Sequence, residues 1–329
     1  MNDEQRRVAL FQAQPRGLGL FFRPAALSLA HVEQLHDAHS VLLDEKIVPA
    51  WPIGLVLTGP NLIRREKSTM SKFETITYVV ENRVATISLN RPKTVNAISQ
   101  RMRQELKLAI DDAEEKDDIR VVVLRSEGKG FSSGTDLTEG LAGYKTIDDQ
   151  IQTEYKPLLI GIAESTKVYI SSIHGACAGI GASLALTCDL SIMSEDAFLY
   201  IPFAALSLVP DGGMSYHLVK AMGYKQAYQL ITESGRLSAD ECLQYGLINK
   251  VVSGESLVER TQAWAEKLSA GAPLAQKFGK QIMRQVGGSS HENIFDMESK
   301  LQNHCTSSQD FADASRAFFE KRTPVFTGK

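Results

Sequence analysis

The sequence has little cysteine, few aromatic residues and no excess of one charge. Cysteine occurs four times in 329 residues, at Cys177, Cys188, Cys242 and Cys305, and never as a C-x-x-C pair. That argues against a disulfide framework or the usual zinc-binding spacing and points to a reducing compartment. Lys and Arg number 36 against 39 Asp and Glu, a formal net charge of -3. With no basic excess, nothing drives counterion release from a polynucleotide, and nucleic-acid binding is not expected. No run of roughly 18 apolar residues occurs, so no membrane-spanning helix is expected. Near the start, acidic residues precede Arg6-Arg7, and Pro15, Arg16, Arg23 and Pro24 interrupt the apolar stretches. That order does not fit a cleaved signal peptide, and a cytoplasmic location is the expectation. What is present suffices for a folded core: 43% hydrophobic and 23% charged residues, a globular composition.

The chain changes character near Met70. Residues 1–69 carry Pro15, Pro24, Pro49, Pro52 and Pro60, one helical pattern near Leu27–Leu43, and a polar end, RREKSTMSK. They read as an N-terminal extension of uncertain structure. Two readings stay open: a small helical appendage, or a segment upstream of a true start at Met70. From residue 70 to 255 the pattern is that of an α/β core. FETITYVV and RVATISLN flank Glu81-Asn82 as a hairpin. A helix is predicted from Ser99, its N-cap, to about Lys116, with Met102, Leu106, Ala109, Ile110 and Ala113 on one face. Strand IRVVVLRS, a helix over about Ile147–Ala163, strand VYISSI, a short apolar helix near Gly181 and strand LSIMS follow. Such alternation implies parallel strands joined by crossover helices. Ser238 to Glu241 forms a capping box for a helix that Gly246 closes. Residues 256–329 read as a helical C-terminal region.

Three segments could carry chemistry. In Ser133-Gly134-Thr135-Asp136-Leu137, Gly134 permits a tight turn and Asp136 can hold it, exposing the Thr135 N–H. In His174–Asp189, a loop containing Gly179 leads into a helix whose positive end and free N–H groups would face a ligand oxygen. His174 and Asp189 read there as structural. In Leu208-Val-Pro210-Asp211-Gly212-Gly213, Asp211 is either a helix cap or a lone carboxylate beside Phe203, Leu206 and Leu208, with its pKa raised by desolvation.

Together these segments resemble the enoyl-CoA hydratase/isomerase family, the crotonases. Leu89-Asn-Arg-Pro-Lys-Thr-Val-Asn96-Ala97-Ile98, Ser238–Val252 and the ending Phe318–Lys329 extend the likeness over about residues 73–329. The resemblance implies a spiral of ββα units with a helical trimerisation region, and a homotrimer or hexamer. It implies an acyl-CoA thioester as substrate, with coenzyme A part of that substrate and no separate cofactor or metal. It implies an oxyanion hole made by the backbone N–H groups of Thr135 and Ile180. A contact set of Asn96, Ala97, Ile98, Ser133, Gly134, Asp136, Leu137, Gly179, Ser183 and Phe203 follows from the same motifs. Family hydratases use two glutamates, and here Ser183 and Phe203 stand at those positions. Asp211 stands where the family's isomerases place a single acid/base. The expectation is therefore a one-base enoyl-CoA isomerase moving a 3-enoyl double bond to position 2. A hydratase, other lyase or hydrolase would need another carboxylate, such as Glu139 or Asp136. A non-catalytic acyl-CoA-binding or scaffold protein is the remaining alternative.

Overall fold

The chain divides into two units, Met1–Glu66 and Lys67–Lys329. A computed structural model describes residues 73–329. The helix expected over Leu27–Leu43 lies outside the described residues.

Strands β1 (Ile76–Glu81) and β2 (Val84–Leu89) form the expected antiparallel hairpin. Its turn is Asn82-Arg83, both at positive φ (51° and 66°), which matches the right-handed twist of the flanking strands. β3 (Val121–Ser126), β4 (Val168–Ile173), β5 (Ala176–Ala178), β6 (Leu190–Ser194), β7 (Phe198–Tyr200), β8 (Arg236–Ser238) and β9 (Lys250–Val252) follow. The main sheet has the order β1-β2-β3-β4-β6-β9 and is parallel from β2 onward. The helices between its strands supply the crossovers that parallel pairing requires. Helix α1 (Gln100–Glu115) starts at Ser99, whose side chain accepts from the Met102 N–H, as the sequence predicts.

A second ladder lies beside the main sheet. β5 pairs with β7, and β7 with β8. Single bridges Ser132↔Cys177 and Ile98↔Thr135 extend it to the loops after β3 and β2. Each turn of the chain thus lays one strand in the main sheet and one rung in the ladder, then adds a helix. That is a spiral of ββα units. The larger core fills the space between these layers and α1, with Ile87, Leu106, Leu124, Phe131 and Ile173 essentially inaccessible. The opposite face of the main sheet (Val121, Val123, Ile170, Ile192) is covered by Leu257 and Ala265 of a later helix, α7 (Leu257–Ser269).

The single helix expected over 147–163 is interrupted. α2 (Ile147–Gln150) runs into a π-turn (Ile151–Tyr155) and then α3 (Lys156–Glu164). Pro157 explains the interruption: it lacks the amide hydrogen for the bond to residue 153 and its ring crowds that carbonyl. α4 (Ile180–Thr187) is buried throughout, and it begins one residue before the expected Gly181. α5 (Met214–Thr232) and α6 (Ala239–Gln244) complete the core, α6 carrying the Ser238–Glu241 capping box. α8 (Pro273–Gln285), α9 (His291–Thr306) and α10 (Gln309–Glu320) make the C-terminal region. Its tail folds back, with Thr327 and Gly328 N–H groups donating to the Asp310 carboxylate.

Candidate active site

The ladder places the two expected donors side by side. Ile98 donates its N–H to the Gly134 carbonyl (2.8 Å) and accepts from the Asp136 N–H (3.2 Å). In a parallel bridge of this kind the intervening N–H, that of Thr135, points the other way, and it finds no acceptor among the described residues. One rung along, Gly179 leads into α4, and the Ile180 N–H is one of the amides a helix start leaves free. The two loops touch: a Cβ built on Gly134 would lie 3.2 Å from the Ala178 carbonyl oxygen, and one on Gly179 would lie 3.8 Å from the Gly134 Cα. Glycines at 134 (φ 97°) and 179 (φ 52°) supply both this approach and the backbone conformation.

The Asp211 turn closes against the second donor. A Cβ at Gly212 would collide with Ile180 Cδ1 and Ser183 Cβ, so the turn rests directly on both side chains. Ser183 Oγ donates to the Asp211 carbonyl at 2.9 Å. Thus the residue standing in place of a hydratase carboxylate holds the Asp211 backbone instead. Asp211 is no helix cap: α5 starts at Met214 with Gly213 before it and no side-chain cap bond. One oxygen of the Asp211 carboxyl is buried without a hydrogen-bond partner. Burial raises its pKa from the usual 3.8 to about 6. Of the expected apolar neighbours, Phe203 is buried and Leu206 and Leu208 are about half exposed, and Ile180 packs against the adjoining Gly212.

The other contact residues separate into loop supports and surface. Asn96 is fully buried at φ 54° and its side chain bonds the Arg91 N–H and the Glu127 and Gly130 carbonyls. The Asp136 carboxylate is held by Thr138 and by Arg91 at 2.8 Å, and these bonds lower its pKa. Both side chains hold loops in place, so any substrate contact at these two positions falls to the backbone. Ala97 and Ile98 are buried within the ladder. Ser133 bonds the Thr94 carbonyl, and Leu137 is exposed. Glu139 accepts from the Gln100 N–H at 2.6 Å. His174 bonds the Gly128 carbonyl, and Asp189 pairs with Lys280 and Arg284, both structural as expected.

The sequence reading missed Tyr155 and Arg103. Tyr155 Oη lies 3.2 Å from Thr135 Oγ1 and accepts from Arg103 Nη1 at 3.1 Å. Burial holds its phenol above the ordinary range, and the Asp211 charge acts in the same direction. A cavity of about 400 Å³ opens between Tyr155, Ile151, Leu159 and Ile160 on one wall and Gly212, Gly213, Tyr216 and His217 on the other. His217 is neutral there, its pKa pushed down to about 4 by burial. Pro157 was the one trace in the sequence of the π-turn that carries Tyr155. Among the described residues, no group of three or more His, Cys, Asp or Glu side chains converges to hold a metal ion.

Residues 80–329 match the enoyl-CoA hydratase/isomerase family. A trans-2-decenoyl-acyl-carrier-protein isomerase of Streptococcus mutans is 32% identical over 261 residues, 78% of this chain and 99% of that one. A 1,2-epoxyphenylacetyl-CoA isomerase of Escherichia coli is 30% identical, covering 76% of this chain and 97% of its own. A solved enoyl-CoA hydratase subunit of Geobacillus kaustophilus superposes with a TM-score of 0.74 at 31% identity, over 79% of this chain and all of that one. The spiral, the paired amides and this likeness agree: the chain belongs to the enoyl-CoA hydratase/isomerase family.

Proposed function

We propose that the chain is a one-base enoyl-CoA isomerase. The Thr135 and Ile180 N–H groups polarise the thioester carbonyl. The Asp211 carboxylate takes a proton from carbon 2 of a 3-enoyl thioester, the two amides hold the resulting dienolate, and the same carboxyl returns the proton to carbon 4. The electron pair moves from the C2–H bond through the dienolate to the new C4–H bond, so no water is added and no further cofactor is needed. The cavity beside Gly212 and Tyr155 receives the acyl chain.

The observation that carries this reading is the Asp211 carboxyl oxygen, the one carboxylate oxygen among the described residues that is buried and unpartnered. Water addition would need a second free carboxylate. Ser183 and Phe203 offer none, both Asp136 oxygens are engaged, and Glu139 is an exposed side chain that accepts from the Gln100 N–H. The four cysteines are unpaired, which supports a reducing, cytoplasmic setting. A homotrimer is the assembly we propose, built through α8–α10.

Separate assays with 3-enoyl-CoA and 2-enoyl-CoA test the function. The proposal expects conversion of the first and no hydration of the second. Hydration of 2-enoyl-CoA at a comparable rate overturns it, as does binding of both without turnover. The same pair on acyl-carrier protein, the carrier named for the Streptococcus mutans relative, tests the choice of carrier.

A further inference from the structure

Arg103 lies on α1, yet it is 2% exposed and its guanidinium sits 4.7 Å above the Tyr155 ring. Its Nη1 donates both to the Ile98 carbonyl (3.2 Å) and to Tyr155 Oη (3.1 Å). Its Nε pairs with Glu154 at 2.6 Å, and its Nη2 is buried with no partner. Gln100 donates to the other Glu154 oxygen, at 3.1 Å. An isolated ion pair of this kind contributes little net stability, since apolar residues of similar volume serve as well. A buried donor left unpartnered asks for a reason beyond packing.

Both contacts of Nη1 lead to Thr135. The Ile98 backbone brackets it through Gly134 and Asp136. Tyr155, which accepts from Arg103, shares a second hydrogen bond with Thr135 Oγ1. The π-turn after α2 is what brings Glu154 and Tyr155 together onto Arg103, and such turns recur at functional sites. The ion pair is also oriented. Glu154 takes the Nε side, while the Nη1 side faces the residues that hold the donor.

We propose that Arg103 and Tyr155 are a positioning pair for the Thr135 amide. They fix its peptide through the Ile98 rung and through its side chain, and they place a buried positive charge behind the oxyanion site. The inference rests on the reading of Thr135 as a thioester donor. It gives the Thr135 hydroxyl a role that a purely main-chain donor would not need.

The test is the vibrational frequency of the ¹³C-labelled carbonyl of 2-enoyl-CoA bound to the full protein, with kcat and Kd alongside. In the parent the bound carbonyl absorbs at lower frequency than the free thioester. In Tyr155→Phe a substantial part of that shift is lost and kcat falls about tenfold, a fraction of the 10²–10³ typical for losing a whole donor. Kd stays within about twofold, because the coenzyme A and acyl-chain contacts are kept and only the carbonyl bond weakens. The pH at which activity rises is unchanged, because Asp211 is untouched. A full shift with near-parental kcat overturns the proposal. Should Tyr155→Phe fail to fold, Thr135→Val removes the other hydroxyl of the pair and is read in the same way. A parent that shifts the carbonyl but does not isomerise 3-enoyl-CoA refutes the isomerase reading while leaving this inference standing. A parent with no shift refutes the inference.

Discussion

Burial of the Asp211 carboxyl has two pH consequences of opposite value to the cell. Its pKa is about 6 in the folded chain against the ordinary 3.8, so the unfolded chain gives up this proton first. Stability from this group is therefore greatest below the unfolded value and falls as pH rises toward 6. Above that, the ionised carboxylate costs up to about 3 kcal/mol, at about 1.4 kcal/mol for each pH unit between the two values. Asp211→Asn should accordingly melt at a higher temperature than the parent at pH 7–8, and calorimetry at pH 4 should show the difference vanish. The same replacement should lower isomerase turnover by about 10²–10⁴-fold, the usual range for a general base. Turnover within tenfold of the parent would remove Asp211 from the mechanism. In the parent, kcat/KM should rise with a midpoint near pH 6. His217 cannot produce that limb, since burial holds it neutral with a pKa of about 4.

At the scale of elements, Asp189 ties α8 to the sheet. It pairs with Lys280 (2.9 Å) and Arg284 (2.9 Å) and accepts from the Tyr169 N–H. Asp189→Ala leaves the half-buried Lys280 without its counter-charge, held only by the Ile162 and Lys167 carbonyls, and should cost about 3 kcal/mol, the lower end for broken buried pairs. Denaturant titration checks this, and a loss under 1 kcal/mol would show the pair to be dispensable. Most of these elements were legible in advance because each has a local cause. Ser99 and Ser238 cap their helices, alternating apolar runs make the strands, and Gly134 and Gly179 mark the two loops that meet. Tyr155 and Arg103 were not legible. An arginine on an amphipathic helix reads as a solvated residue, and only the widened turn before Pro157 brings a counter-charge to it. The bond from Asp136 to Thr138 was legible as a turn, but its pairing with Arg91 and the bonds of Asn96 to the Glu127 and Gly130 carbonyls were not, because those partners are distant in sequence.

At the scale of the whole molecule, the C-terminal helices carry large apolar side chains that nothing in the described chain covers. Phe318 is 79% exposed and Phe319 83%, with Phe295 on α9 and Val325 in the tail also exposed. The adjacent Phe318 and Phe319 rings, 5.7 Å apart, are the kind of exposed apolar surface that marks contact between protein chains. The proposed trimer predicts that Phe318→Ser combined with Phe319→Ser lowers the sedimenting mass to that of one chain, with far-ultraviolet circular dichroism unchanged. An unaltered sedimentation coefficient would place the subunit contact elsewhere. No helix among the described residues is long and apolar enough to cross a membrane.

The second ladder separates two jobs that many enzymes entrust to the same side chains. In the proposed isomerase, charge is met by two amides, that of Thr135 beside a strand bridge and that of Ile180 at a helix start, whereas the shape of the acyl space is left to side chains such as Leu159 and Ile160. On that proposal, substitutions at Leu159 or Ile160 retune which chains are admitted while the proposed anion socket keeps its dimensions. A scaffold organised in this way can change diet without relearning its chemistry.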